Sequence, residues 1–174
     1  LNKLMYERLL SGGEITLFSP HDVPGLYEAF YSGDNDKFKE LYETYERKTS
    51  IRKKKIDAQE LFSALLKERA ETGRIYIMNV DHANSHSSFK DPVYMSNLCQ
   101  EITLPTKPIQ HIDDDAGEIA LCILSAINVG ALTLNKENAE LEELCDLSVR
   151  ALEEIIEYQG YPVKAAEIST KARR

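Results

Sequence analysis

Met95-Ser96-Asn97-Leu98-Cys99-Gln100-Glu101-Ile102-Thr103-Leu104 alternates sharply. Successive side chains of an extended chain point to opposite faces. Asn97, Cys99, Glu101 and Thr103 would then share one side, and Leu98, Gln100, Ile102 and Leu104 the other. On a helix Cys99 would point away from both Asn97 and Glu101, so only the extended reading gathers an amide, a thiol and a carboxylate. At strand spacing each outer position lies roughly 7 Å from the thiol between them. Such a trio can face one small polar ligand. An edge strand with a solvated polar side and a chance cysteine has the same pattern, and spacing alone leaves both readings open. Pro105 and Pro108 end the run.

Working outward, Arg74-Ile75-Tyr76-Ile77-Met78 is β-prone and predicts a buried strand. Glu118 to Leu132 predicts a buried strand passing into a buried helix, after a turn at Asp113-Asp114-Asp115-Ala116-Gly117. Asp81 to Asp91 is polar and reads as a loop, and Arg52-Lys53-Lys54-Lys55 as a solvated lead-in to a helix. Helical spacing marks Leu4, Leu9 and Leu10, halted by Ser11-Gly12-Gly13. Ser19-Pro20-His21-Asp22 with Pro24 starts a second helix through Leu26, Tyr27 and Phe30, and a polar turn spans Ser32 to Asp36. Phe38, Leu41, Tyr42 and Tyr45 mark a third helix.

Asp57 caps a helix from Ala58 to Glu71, with Glu60 in the capping-box position, Leu61, Phe62, Leu65 and Leu66 as its buried stripe, and Gly73 as its stop. A last helix covers Ala139 to Tyr158. Its stripe is Leu141, Leu144, Cys145, Ser148, Leu152, Ile155 and Ile156, closed by Gly160 and Pro162. Strands spaced among helices indicate an α/β fold, not an antiparallel sandwich.

Composition bounds the function. The 174 residues, 43% apolar and 29% charged, suit one domain burying roughly two-thirds of its unfolded surface. A net charge of -8 argues against nucleic-acid binding, which needs a clustered basic surface. The longest uncharged stretch, Ile119 to Asn135, is interrupted by Ser125, Asn128, Gly130 and Thr133. It falls short of the roughly 20 apolar residues of a membrane span. Three cysteines point to a reducing compartment, and the expectation is a soluble cytoplasmic chain. The start at Leu1 and the stop at Lys171-Ala172-Arg173-Arg174 suggest an excerpt from a longer protein.

Other candidate chemistry is weaker. Cys122, between Leu121 and Ile123, reads as a packing cysteine on pattern alone, and Cys145 as core. His82 and His86 have i, i+4 spacing, but Ala83, Asn84 and Ser85 supply no Glu between them, and no CxxC completes a zinc set. No metal site is expected. Cys99 with a histidine as a nucleophile pair stays open, since such partners meet only in space.

Three motifs carry a family resemblance: Ser96-Asn97-Leu98-Cys99-Gln100-Glu101-Ile102, Leu104-Pro105-Thr106-Lys107-Pro108, and Gly117-Glu118-Ile119-Ala120-Leu121-Cys122. They resemble the large, catalytic subunit of class I ribonucleotide reductases, close to the bacterial and bacteriophage forms. The likeness extends to Leu17 through Leu26, Thr72 through Tyr76, and Tyr161 through Ala166. It implies that residues 1–174 are a partial catalytic barrel domain, part of a ten-stranded α/β barrel with the radical cysteine on a central loop.

It also implies reduction of ribonucleoside diphosphates to deoxyribonucleoside diphosphates for DNA synthesis. Cys99 would be the thiyl radical taking the 3′-hydrogen, Glu101 the base for the 3′-hydroxyl, and Asn97 a hydrogen-bonding partner of the substrate hydroxyls. Leu98 would line the substrate with them. Cys122 would be one of two reducing thiols, its partner lying upstream and outside this sequence.

The implied partners are the rest of the large subunit, a small subunit holding the radical-generating metal cofactor, and a thioredoxin- or glutaredoxin-type reductant. ATP and deoxynucleotide effectors would bind outside the segment, which is expected to be inactive alone. The competing readings are a non-catalytic acidic helical interaction module, which leaves the Asn97, Cys99 and Glu101 pattern unexplained, and a Cys/His hydrolase.

Overall fold

The computed structural model describes residues 1–132 and 139–173. It divides into two compact units, Leu1–Pro105 and Thr106–Arg174.

The first unit begins with α1 (Lys3–Leu10), capped by the Asn2 side chain, which accepts the Met5 amide at 3.3 Å. Strand β1 (Glu14–Phe18) is followed by a 3-10 turn at Pro20–Asp22 and by α2 (Leu26–Tyr31). Helix α3 (Asn35–Arg47) starts on Asp34, which accepts the Lys37 amide at 3.0 Å. Strand β2 (Lys53–Asp57) runs directly into α4 (Ala58–Thr72), and α5 (Val80–Ser85) follows. Asp57 caps α4 through the Glu60 amide at 2.8 Å, and Gly73 ends it in the left-handed conformation that glycine adopts without steric cost.

The two strands pair antiparallel with Thr16 opposite Lys55. Along the other edge of β1 no strand is paired among the described residues, and a side chain takes that place. The Tyr42 hydroxyl accepts the Thr16 amide at 2.7 Å and donates to the Thr16 carbonyl at 2.8 Å. Beside it Arg8 grips Glu46 with two bonds at 2.9 and 2.5 Å, and the Thr16 hydroxyl donates to the same carboxylate. The core around this contact is Leu4, Val23, Leu26, Ala29, Phe38, Tyr42 and Tyr45, with Phe18, Phe30 and Leu41 packed against it.

Several expectations are corrected. The basic run does lead into a helix and Arg52, Lys54 and Lys55 are exposed, but from Lys53 on it is strand β2, and Lys53 is only half-exposed. Lys53 turns its ammonium back onto the C-terminal carbonyls of α3, reaching Lys48 O at 2.7 Å and also Glu46 O. Basic groups are favoured at that end of a helix. Strand β1 was not anticipated, and the expected loop begins with helix α5. Arg74 to Met78 forms no strand: no strand among the described residues pairs with it, and Tyr76 is 45% exposed. On α1 the buried residues are Leu4 and Met5, while Leu10 is exposed. The α4 stripe is only half-buried, and Leu66 is exposed.

The second unit opens with Lys107 and Glu118 joined as an isolated antiparallel bridge around the expected aspartate turn, where Asp114 accepts the Gln110 and Ala116 amides at 2.8 Å. A short 3-10 turn at Val129–Ala131, α6 (Ala139–Tyr158) and α7 (Lys164–Arg173) complete it. Leu141, Leu144, Ser148, Leu152 and Ile156 of the α6 stripe are half-buried, but Cys145 and Ile155 are exposed. Residues 118–132 form neither the expected strand nor a buried helix: Leu121, Leu124 and Val129 are exposed. A strand buried on both faces needs neighbours on both edges, and beyond the single Lys107–Glu118 bridge none pairs here among the described residues. Residues 133–135 of the uncharged run, and Arg174, lie outside the described residues.

Tyr42→Phe keeps the ring and strands both Thr16 backbone groups. It should cost about 1–3 kcal/mol in urea unfolding, and an unchanged midpoint would contradict the edge-capping role. Glu46 gives a pH dependence. Burial pushes its carboxyl up, but hydrogen bonds from Arg8 and Thr16 outweigh this and hold it below its ordinary value. Its contribution is present above the unfolded-state value, about 4.3, and is lost as pH falls through the lower folded value. Urea midpoints should therefore fall on acidification through this range, and less steeply in Glu46→Gln; identical slopes would count against it.

Candidate active site

The segment bearing the sequence-derived trio is held through α5. Buried Asp81 accepts the Lys3 amide of α1 at 2.9 Å, and Tyr6 donates to Asn79 at 2.8 Å, so α5 is tied to α1. Asn84 then clamps the chain leading to the trio. Its side-chain amide donates to Val93 O at 3.0 Å, and its Oδ1 accepts Val93 N–H at 2.7 Å. It copies one rung of a β-ladder. Val93 is fully buried, and the next residue, Tyr94, stacks on Tyr27 of α2 with ring centroids 6.1 Å apart.

Beyond this clamp the backbone departs from the extended reading. Asn97 to Gln100 is a turn, closed by Gln100 N–H to Asn97 O at 3.2 Å. Gln100 sits at φ 65°, the left-handed region that side chains other than glycine adopt at some cost. Asn97 Oδ1 accepts the Ile102 amide at 2.9 Å, and the Ser96 hydroxyl donates to Asn97 O at 3.0 Å. Asparagine is suited to this, since its short amide bonds nearby backbone and competes with strand pairing. Strict alternation is therefore broken between Asn97 and Glu101.

The turn sets the chemistry. Asn97 is half-buried with its carbonyl oxygen committed to Ile102, leaving the Nδ2 donor for another partner. Leu98 is 75% exposed on the crest, Cys99 is a free, exposed thiol, and Glu101 is exposed just past the turn. An exposed thiol, a carboxylate two residues on and an amide donor are thus carried by one short loop. Cys122 is in the second unit, on the irregular segment after Glu118, and it too is free and exposed, not packed. Cys145 is exposed on α6. His82 and His86 are exposed with their rings edge to face, 5.9 Å between centroids. No group of three or more His, Cys, Asp or Glu among the described residues is placed to hold a metal.

Two contributors escaped the sequence reading. Asn84 lay in what reads as a polar loop, and no local signal marks it. Gln100 carried no mark either, because glycine or asparagine is the residue that usually announces a left-handed position.

The comparisons agree with this architecture. The family described as "Ribonucleotide reductase, barrel domain" matches residues 1–174. The chain is 62% identical over 178 residues to the ribonucleoside-diphosphate reductase subunit alpha of Haemophilus influenzae, covering 100% of this chain and 23% of that protein. The subunit alpha of Buchnera aphidicola from Schizaphis graminum is 58% identical over the same shares, and that of Enterobacteria phage T4 is 43% identical over 99% of this chain and 23% of its own. The chain belongs to the ribonucleotide reductase barrel-domain family, and its mixture of helices and strands is an α/β part of that domain. It spans about a quarter of the length of the curated relatives it matches.

Removing the Asn97 side-chain acceptor should open the turn. In Asn97→Ala the Ile102 amide should exchange with solvent about 5- to 10-fold faster, the equivalent of a hydrogen bond of roughly 1 kcal/mol. Unchanged exchange would contradict the closure.

Proposed function

We propose that this chain is the radical-bearing part of the catalytic subunit of a ribonucleoside-diphosphate reductase, an oxidoreductase acting on ribonucleoside diphosphates. The observation that carries the reading is the exposed Cys99 thiol on a turn closed by Asn97, with Glu101 beside it, in a chain matched to the family along its whole length. Residues 1–174 are read as a partial barrel domain, completed by the remainder of the large subunit.

In this reading Cys99, as a thiyl radical, takes the ribose 3′-hydrogen: the C–H bond breaks and an S–H bond forms. A sulfur radical suits this because the transfer is readily reversed. Glu101 accepts the proton of the 3′-hydroxyl, a general-base role open to an exposed carboxylate within reach of the same ribose. The Asn97 Nδ2 donor, with its carbonyl oxygen held by Ile102, is directed at the substrate hydroxyls, and Leu98 lines the same face. The 2′-hydroxyl leaves as water. Cys122 and a second thiol outside this chain supply two electrons and two protons as they join in a disulfide. The 3′-hydrogen then returns from Cys99, which restores its radical, and Glu101 gives its proton back to the 3′-oxygen.

The radical-generating metal cofactor belongs, in this reading, to a partner small subunit. When bound there it would supply the oxidising equivalent for Cys99. A thioredoxin- or glutaredoxin-type protein would reduce the disulfide, ATP and deoxynucleotide effectors would bind elsewhere in the subunit, and the setting would be the cytoplasm. No helix among the described residues is long and apolar enough to cross a membrane.

In a full-length subunit carrying this segment, Cys99→Ser should abolish reduction while leaving nucleotide binding within about twofold. Substantial multiple turnover would refute the radical assignment. Glu101→Gln should lower kcat by roughly 10²–10⁴-fold, the usual worth of a general base. A raised KM at unchanged kcat would make Glu101 a binding residue only.

A further inference from the structure

Cys122 lies on a stretch with no ladder of its own, yet that stretch is strapped three residues to either side. On one side, Ile119 N–H donates to the hydroxyl of Ser169 on α7 at 3.1 Å. Ser169 is 5% exposed, and its own proton goes to Ala165 O at 2.6 Å, which leaves its oxygen free to accept. The adjacent Glu118 carboxylate accepts from Lys107 Nζ at 2.5 Å and from Arg173 Nη2 of α7 at 2.5 Å. The Glu118 backbone exchanges two further bonds of 3.0 Å with Lys107. On the other side, the Ser125 hydroxyl meets the hydroxyl of Ser148 on α6 at 2.5 Å.

Ser148 interrupts the apolar stripe of α6, where a strictly packing role would favour an aliphatic side chain. Helices α6 and α7 pack against each other. The two straps thus fix the ends of one short span against one helical pair.

We propose that Ser169, with Arg173, and Ser148 are positioning residues for Cys122, setting its thiol for the reducing step from α7 and α6. The inference rests on the reading of Cys122 as a reducing thiol. A thiol that must reach a reacting centre is sensitive to displacement: a shift of about 1 Å can cost on the order of 10²-fold in rate. A span without ladder bonds leans on its end contacts to limit that shift. Neither hydroxyl touches the substrate in this scheme. Their effect passes through the backbone at Ile119 and the side chain at Ser125.

The test uses the full-length subunit with its partner subunit, cytidine diphosphate as substrate and dithiothreitol as reductant. Ser148→Ala and Ser169→Ala are made singly and together, with Ser148→Thr as the conservative variant. The double variant should lose roughly 10- to 100-fold in kcat with KM for the substrate within about twofold. In the pre-reduced protein Cys122 should react with iodoacetamide several-fold faster, about three or more, with Cys99 unchanged. Ser148→Thr, which keeps the hydroxyl, should retain activity.

A double variant with kcat within about twofold of the parent would overturn the proposal. So would a loss of kcat with the Cys122 alkylation rate unchanged, because that pattern belongs to a general structural defect. Cys122→Ser tests the underlying reading separately. If it still turns over, Cys122 is not a reducing thiol. If it is dead while the double variant is fully active, only the positioning inference fails.

Discussion

The first unit depends on a phenol hydroxyl placed against a strand edge. Among the described residues strand β1 has one paired neighbour, and an unpaired edge leaves backbone groups that cost free energy when buried. Tyr42 meets both groups of Thr16 with a single oxygen, donating once and accepting once. Its ring packs edge to face on Phe18 and stacks obliquely on Phe38. The hydrogen bonds therefore fix α3 against β1 where the core is densest. Arg8 and Glu46 close the same contact from α1 and α3, a paired charge replacing what would otherwise be an unpaired, partly buried carboxylate.

The same device recurs at several other places in the chain. Asn84 brackets Val93 as a neighbouring strand would, Asn97 holds the Ile102 amide, Ser169 holds that of Ile119, and Lys53 covers the last carbonyls of α3. Polar side chains do the work of backbone partners, and three of these places, at Asn84, Asn97 and Ser169, lie next to a segment that carries a candidate cysteine. The loop of Cys99 is reached from the core through α1, α5, Asn84 and Val93. The span of Cys122 is reached from α6 and α7.

The helices were legible because their signals are local. Asp57, Glu60 and Gly73 mark the two ends of α4 within a few residues, and α6 announces itself by period alone. Strands were less so. Whether Arg74–Met78 or 118–128 becomes a strand depends on neighbours that no local pattern displays, and both are irregular here. Strand β2 was hidden by Lys53, Lys54 and Lys55, whose charges signal solvent although Lys53 folds back onto α3. Burial failed for the same reason as the strands: Cys122 sits in an apolar run and Cys145 on an apolar helical stripe, yet both are exposed in the fold. At the site, the residue types at 97, 99 and 101 were legible as a chemical set. The geometry that joins them was not, because an asparagine that closes a turn and one that faces out from a strand are written alike.

The central proposal is that Cys99 is the thiol that takes the ribose 3′-hydrogen. Its most direct measurement is the position of the Cys99 sulfur in a structure of the full-length subunit with a ribonucleoside diphosphate bound. The sulfur should lie about 3–3.5 Å from the ribose 3′-carbon, with the Glu101 carboxylate within hydrogen-bond reach of the 3′-hydroxyl. A Cys99 sulfur turned away from the ribose, or another thiol found at the 3′ position, would contradict the proposal.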